Sequence, residues 1–414
     1  MTPKNSPHFV GIDIGTSAVR CVVGKLDNDD SVVPTIIGAS SVPNRGMRKG
    51  VVIHTDEVAQ AVAQAVDDAE RTSGIQIRTA SVGVNGAHLI GVNSKGVVAI
   101  SSATREISIE DRMRAEEAAT VVQLPANREI LQVFARNYHV DGQENIKDPV
   151  GMRGVRLEVD THIVTAASPA LRILGQVFEK AHIHTNSEVV AGYAAAEAVL
   201  TRDQKESGTV LVDIGAGTTS VVVFEEAEVQ HIAVIPMGGV HITNDLAIGL
   251  KTDIPVAELV KKEFASALED RRASRDVSVT VSDEEKLQFD RQAIDHIVQA
   301  RLDEIFEYVD KELRKIQRSR KLPGGIVLTG GSSQIKHIAD LAKDRLELPA
   351  RTAIPTGFGG VIDTANNPSF AAAVGLMLLD MNTGHPGSRT PQIGRAFTLS
   401  TNIVQSFMGR FKKN

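Results

Sequence analysis

Cys21 is the only cysteine in 414 residues. No internal disulfide can form, and such sparse usage suits a reducing cytosol. Tryptophan is absent, and aromatic residues make up only 4% of the chain. No apolar run approaches the ~18 residues that crossing a bilayer requires. The N-terminus, MTPKNSPHF, lacks the apolar stretch of a secretory leader. Excess positive charge is missing too. The formal charge is -6, which argues against a general nucleic-acid binder. Acidic residues are missing only locally. Residues 383–414 hold Arg389, Arg395, Arg410, Lys412 and Lys413 with no Asp or Glu, so this tail carries +5 and the rest -11. A soluble cytosolic protein is expected, unless something anchors it.

The hydrophobic fraction of 42% fits a packed globular chain, and the length allows two to four domains. An internal echo is the most informative feature. Residues 9–24 read FVGIDIGTSAVRCVVG and residues 209–224 read TVLVDIGAGTTSVVVF. Each is an apolar run, Asp-Ile-Gly, small and hydroxyl residues, and a second apolar run: strand, tight turn, strand. Two copies of one hairpin at that separation point to two related lobes rather than a short-period array. Between them, 55–70 has helical apolar spacing. Ser108 and Asp111 form a capping-box pattern for a helix running to about Val122. With strands at 96–100, 130–138 and 155–166, the stretch 85–165 reads as a β-α-β-β unit. Further on, 256–268 and 293–318 read as helices, and 269–286 as an exposed loop with a short strand. The strand Gly325–Thr329 is followed by Gly330-Gly331 and a helix over 335–346. Residues 383–398, rich in Gly, Pro, Ser and Thr, read as a flexible linker.

The hairpins carry chemistry suited to a nucleoside triphosphate. Glycine lets backbone N–H groups approach phosphates, and Thr or Ser adds hydroxyl donors. A carboxylate beside the phosphates is repelled by them but can hold Mg²⁺ through water. Asp13, Gly15, Thr16 and Ser17 supply these parts once. Asp213, Gly215, Gly217, Thr218 and Thr219 supply them again. An ordinary β-turn after a buried strand explains one such hairpin; two matching copies are harder to explain that way. Gly330, Gly331, Ser332 and Ser333 form a third element, where a flat base or ribose can lie against the main chain. The turn at Gly238 and Gly239 passes close to the phosphates in the same scheme.

This order of phosphate hairpin, phosphate hairpin and Gly-Gly resembles the actin, Hsp70 and sugar-kinase superfamily. Within it, the segments 148–158 (DPVGMRGVRLE), 41–52 (SVPNRGMRKGVV) and 237–247 (MGGVHITNDLA) resemble the bacterial cell-division family FtsA, over about 8–382 and the extreme C-terminus. The resemblance implies a two-lobed α/β fold of the actin-like ATPase type, built from duplicated ribonuclease-H-like lobes. The first lobe core would comprise 8–84, 166–200 and 360–382, with the subdomain 85–165 inserted. The second would comprise 205–252 and 321–359, with its own subdomain at 253–320. Residues 383–399 would be linker and 400–414 a tail helix. Two small-residue helices at the interdomain hinge are expected at Glu188–Leu200 and Pro368–Leu379.

The resemblance further implies ATP with Mg²⁺ in the interlobe cleft. Asp13 and Asp213 would set the metal and water, and Glu258 and Lys261 would lie near adenosine. Glu188 would position the attacking water, with Glu197 as a rival. Slow or undetectable hydrolysis is expected. The implied partners are other copies of the chain in filaments, the C-terminal peptide of the tubulin-like ring protein FtsZ, other division proteins and anionic inner-membrane lipids. Arg301 is a candidate for the acidic FtsZ peptide, or simply part of a solvated helix face. The implied location is the cytoplasmic face of the membrane at the division site. A small-molecule kinase and a pilus-assembly adaptor of the same superfamily are the rival readings; neither accounts for the tail and the 148–158 segment together.

Taken as a helix, 402–413 places Ile403, Val404, Phe407, Met408 and Phe411 within an arc of ~140°, with Arg410, Lys412 and Lys413 beside or opposite it. Bulky apolar residues on one side and only positive charge elsewhere suit the headgroup boundary of an anionic membrane. Twelve residues do not hold a helix in water, so a surface must stabilise it. Docking on the protein's own body is the ordinary alternative.

Overall fold

The computed structural model describes residues 8–27, 31–269, 275–282, 285–360, 363–383 and 396–397. Apolar residues on either side of Gly15 form a hairpin, β1 (His8–Ile14) and β2 (Ala18–Lys25), in register from His8↔Lys25 to Ile14↔Val19. β3 (Thr35–Pro43) extends it, and a two-residue hairpin, β4 (Met47–Arg48) with β5 (Val51–Val52), leads to α1 (Thr55–Ser73). Val58, Val62, Val66 and Ala69 form the buried face of α1, which stops at left-handed Gly74. β6 (Thr79–Val84) runs parallel to β1.

An insertion follows, made of β7 (Ile90–Ala99), α2 (Ile109–Ala119), β8 (Arg128–Val140), β9 (Gln143–Ile146) and β10 (Arg156–Ala167). The expected β-α-β-β unit gains β9, a short strand that pairs back onto β8. Ser108 and Asp111 do form the capping box that opens α2. The insertion has its own small core around Ile107, Ala115, Tyr138 and Leu157.

The chain then returns through α3 (Ser168–Lys180) and β11 (His184–Val190), completing a sheet of order β11-β6-β1-β2-β3. α4 (Ala191–Val199) and α5 (Arg202–Ser207) lead into the second hairpin, β12 (Thr209–Ile214) with β13 (Thr219–Glu225), extended by β14 (Glu228–Ile235). Next come α6 (Gly239–Leu250), α7 (Ile254–Phe264), the hairpin β15 (Asp276–Ser282) and β16 (Glu285–Asp290), and α8 (Arg291–Lys315). β17 (Gly325–Thr329), a 3₁₀ turn at Gly331–Gln334, α9 (Ile338–Leu346) and β18 (Ala350–Thr352) follow. The second sheet, read as β18-β17-β12-β13-β14, repeats the first strand for strand, so the duplicated motif belongs to a duplicated topology.

α10 (Ala371–Thr383), after a 3₁₀ turn at Pro368–Phe370, packs on β1 and against α4. The approach leaves no room for side chains. A Cβ on Gly375 would lie 1.7 Å from the carbonyl oxygen of Ala194, and one on Gly11 2.2 Å from that of Ala373. Asp380, near the end of α10, accepts hydrogen bonds from Val10 N (3.0 Å), Ser81 Oγ (2.7 Å) and Asn186 Nδ2 (3.1 Å).

Several expectations need correction. Glu188–Val190 are extended rather than helical: they pair in parallel with Val82–Val84, and the helix starts only at Ala191. The β-branched Val189 and Val190 belong to the strand. Asp276–Ser282 and Glu285–Asp290 pair as two antiparallel strands instead of a loop with one strand, because Val277 and Val279 are buried in the second core. The helix expected from 335 starts at Ile338, after the left-handed His337. No helix among the described residues is long and apolar enough to cross a membrane. A two-residue strand, β19 (Ala396–Phe397), pairs with β8 at Phe134 and Val133. Beyond Thr383, which belongs to α10, the rest of the expected linker and the whole of the expected tail helix, including Ile403, Val404, Phe407, Met408, Arg410, Phe411, Lys412 and Lys413, lie outside the described residues.

Candidate functional site

The two hairpin turns close identically. Gly15 N donates to Ala18 O at 3.0 Å, and Gly215 N to Thr218 O at 2.9 Å. They face each other closely: a Cβ on Gly217 would sit 2.5 Å from Thr16 Oγ1. Asn85, just beyond β6, spans the gap, with Nδ2 donating to Thr218 Oγ1 at 3.2 Å. Around these turns opens a cavity of about 1000 Å³. Asp13, Gly15, Thr16 and Ser17 line it from the first lobe; Asp213, Gly215, Gly217 and Thr218 line it from the second. Gly239, Glu258, Lys261, Gly330, Gly331 and Ser332 complete the second-lobe wall. Gly330, at φ 85°, passes so close to Asp213 that a Cβ there would sit 2.2 Å from Oδ1, so only glycine fits.

Other expected residues support the wall from behind. Thr219 is fully buried and donates to Met237 O at 2.8 Å. Ser333 donates to Gly330 O at 2.8 Å. Gly238 backs the second turn, with Gly239 N donating to Gly215 O at 2.9 Å. Lys261 Nζ holds Glu258 Oε2 at 2.6 Å, Thr243 Oγ1 at 2.8 Å and Gly239 O at 3.2 Å. Burial pushes the Glu258 carboxyl upward, but the charge and hydrogen bond of Lys261 and the Thr243 hydroxyl outweigh it and hold the group below its ordinary range.

Burial raises the Asp213 carboxyl to about 7, and the neighbouring Asp13 adds to the effect. Asp13 is raised by burial as well, with Arg20 pulling the other way. Two neighbouring carboxyls at one end of a cavity, Asp13 buried and Asp213 half-buried, are a poor arrangement for an empty protein and a good one for a hard cation. Arg20 was not singled out from the sequence. It stands opposite Asp13 in the hairpin register and is half-buried, and its Nε is buried with no hydrogen-bond partner among the described residues. Burial lowers its pKa, against the attraction of Asp13 and Asp213. The signal was available: drawing the β1–β2 register places this cation across from the aspartate. Asn85 gave no comparable signal.

Glu188 and Arg301 lie elsewhere. Glu188 is not among the cavity-lining residues. It sits on β11, where burial and then Glu129 raise its carboxyl. Glu197 is held by the buried Lys205 at 2.7 Å. Arg301, on α8, grips Asp245 of α6 with Nε at 2.6 Å and Nη2 at 3.0 Å, and also bonds Glu304. Among the described residues no group of three His, Cys, Asp or Glu is placed to hold a metal by itself.

Comparison with known proteins agrees with this architecture. A family model described as cell division protein FtsA matches residues 210–375, and one described as the SHS2 domain inserted in FtsA matches 86–165. The chain is 36% identical to cell division protein FtsA of Pseudomonas aeruginosa over 392 residues, covering 94% of this chain and 93% of that one. It is 38% identical to FtsA of Bacillus subtilis over 376 residues, covering 90% and 83%. Among solved structures, the PilM–PilN type IV pilus biogenesis complex contains a chain that superposes at a TM-score of 0.65 and 16% identity, covering 91% of this chain and 99% of that one. MreB5 of Spiroplasma citri, solved with ADP, superposes at 0.54 and 13% identity, covering 92% and 99%. With the duplicated lobes, the insertion between β6 and α3, and relatives matched over nearly their full length, the chain belongs to the FtsA family of cell-division proteins and has the actin-like ATPase fold.

Proposed function

We propose that this chain binds ATP with Mg²⁺ between its lobes, self-associates, and ties a ring of FtsZ to the cytoplasmic face of the membrane through its C-terminal tail. The carrying observation is the pair of carboxylate-tipped turns that face each other across one cavity. The cavity is large enough for a nucleotide, the two acids provide a reason for a cation, and Arg20 offers a half-buried positive charge on the cavity wall with donor capacity to spare. Thr16, Ser17, Gly217 and Thr218 would donate to phosphate oxygens, while Gly15 and Gly215, whose N–H groups close the turns, would let the phosphates approach the main chain. Asp13 and Asp213 would orient the water shell of Mg²⁺, which neutralises phosphate charge when bound. Gly330, Gly331 and Ser332 would carry the base and ribose, with Glu258 and Lys261 at the edge. Thr219, Ser333 and Gly238 would shape the wall without touching the ligand. Glu188 lies outside the lining, so the reading is of nucleotide binding with slow or no turnover.

Partner contacts extend the reading. Arg301, held by Asp245 and Glu304, would reach the FtsZ peptide only by exchanging a carboxylate on its own surface for one on the peptide. The insertion would serve contacts between copies and with other division proteins. The tail, 400–414, would supply the membrane contact, weak singly and strong when many copies line up. The test is equilibrium binding of a fluorescent ATP analogue to the full chain with and without Mg²⁺. Saturable, Mg²⁺-dependent binding that Asp213→Asn weakens is expected. Equal binding by the variant would overturn the assignment.

A further inference from the structure

The insertion is rooted in the first lobe but is also fastened to the second. At its root, Arg128 Nη2 bonds His88 O and Thr165 O, both at 2.8 Å, joining the strands that enter and leave the unit. Gln132 Oε1 accepts from Val190 N of β11 at 2.9 Å. The other attachment runs to β14, the edge strand of the second sheet. An edge strand exposes unpaired N–H groups, and here a histidine takes one of them: Ile232 N donates to His162 Nε2 of β10 at 3.0 Å. The other ring nitrogen, Nδ1, faces Asn93 Oδ1 at 2.8 Å. Nε2 can accept only if the proton sits on Nδ1, so the ring is neutral. Burial, then the nearby His231 and Arg136, lower its pKa to about 3 and keep it so. Two rim contacts flank the histidine. Arg136 Nε donates to Gln230 Oε1 at 2.8 Å, and Lys147 Nζ bonds Glu226 O. Gly91 closes the fit, since a Cβ there would sit 2.8 Å from Ile232 O.

β14 leads directly into the cavity wall. It ends at Ile235, and the next turn carries Met237 O, which anchors Thr219, and Gly239, which anchors on Gly215. We propose that His162 and its two rim contacts form a latch joining the insertion to the second lobe, so that movement of the lobes about the cleft reorients the insertion. The insertion is thus a strap across both halves of the molecule, fixed to one by covalent connection and to the other by side-chain contacts that can open. Coupling to nucleotide rests on the reading above; the latch does not.

Spin labels at Val121→Cys on the insertion and Ile248→Cys on α6 test it in the full chain. Both positions are largely exposed, at 80% and 78%, whereas Cys21 is fully buried and stays unlabelled. In the apo protein, one narrow distance distribution is expected. His162→Phe combined with Arg136→Ala keeps the ring volume but removes the acceptor and a rim contact. It should broaden the distribution and speed amide exchange at Ile232 by about tenfold. His162→Gln, which restores an acceptor, should recover part of the narrowing. Should His162→Phe fail to fold, Arg136→Ala with Lys147→Ala, both on the rim, gives the same readout. A distribution as narrow in these variants as in the parent overturns the latch. Adding ATP and Mg²⁺ should leave the parent distribution in place, because the latch carries the insertion along with α6, and should shift the distribution of the latch variants, whose insertion stays with the first lobe; the same response in both overturns the coupling. Nucleotide binding is measured separately by fluorescence. A chain that binds none ends the nucleotide reading, while the apo distributions still decide the latch.

Discussion

Asp213 gives the clearest expectation at the scale of one residue. Its folded-state pKa is raised to about 7, well above the ~3.9 of an unfolded aspartate. Between those values the folded chain binds more protons than the unfolded one. Stability of the apo protein should therefore fall as pH rises from about 4 to about 7. Asp213→Asn should flatten part of that slope and raise the apo melting temperature at pH 8. Glu228, also raised to about 7 by burial with Lys147 opposing, contributes in the same sense, so Glu228→Gln is the matched control. A bound cation reverses the preference, because it needs the carboxylate ionised. The melting shift given by Mg²⁺ and ATP should accordingly be larger at pH 8 than at pH 6, and an equal shift would argue against Asp13 and Asp213 as metal-facing groups. Arg20→Met should weaken ATP about tenfold or more while sparing the fold, as titration would show; a half-buried charge bonded to phosphate contributes on that scale. The sequence declared the acids through a repeated motif. It concealed Arg20, which carries no motif of its own and acquires meaning only from its position opposite Asp13.

At the scale of elements, hydrophobic patterning located α1, α8 and β17 to within a few residues, because each has one clean buried face. It failed where one stretch changes character midway. The run from Glu188 to Leu200 is apolar or small apart from Glu188 and Glu197, so periodicity could not show that Glu188–Val190 extend β11 and that α4 starts at Ala191. It also hid the β15–β16 hairpin, whose charged flanks read as loop while Val277 and Val279 were buried by long-range packing. The helix pair α4 and α10 was legible from its small residues, and its tolerance can be measured. Gly375→Ala would place a methyl group 1.7 Å from Ala194 O, so the helices must part. A loss of about 2–4 kcal/mol in urea unfolding is expected. A neutral result would show that the pair separates without cost.

For the molecule as a whole, the duplicated sheets make two similar halves, and the insertion breaks that symmetry on one side. Their relationship was visible as a repeated Asp-Ile-Gly; the second attachment of the insertion was not, since it depends on one histidine meeting one amide across the chain. The proposed membrane contact belongs to this scale, because one short tail would hold weakly. A chain ending at Thr383 retains Asp380 and all of α10. It should bind ATP like the full chain and stay off vesicles of anionic lipid at every concentration. Co-sedimentation of the shortened chain would place membrane affinity in the body instead.

The position of α10 has a mechanical meaning. The helix wedged against β1 and α4, and anchored by Asp380, is the last one before the segment that leads to the tail. If the tail is gripped by a lipid surface, as proposed, traction on it would arrive first where α10 packs on β1 and α4, not at an outer face, and a load on a ring so anchored would be felt at that packing.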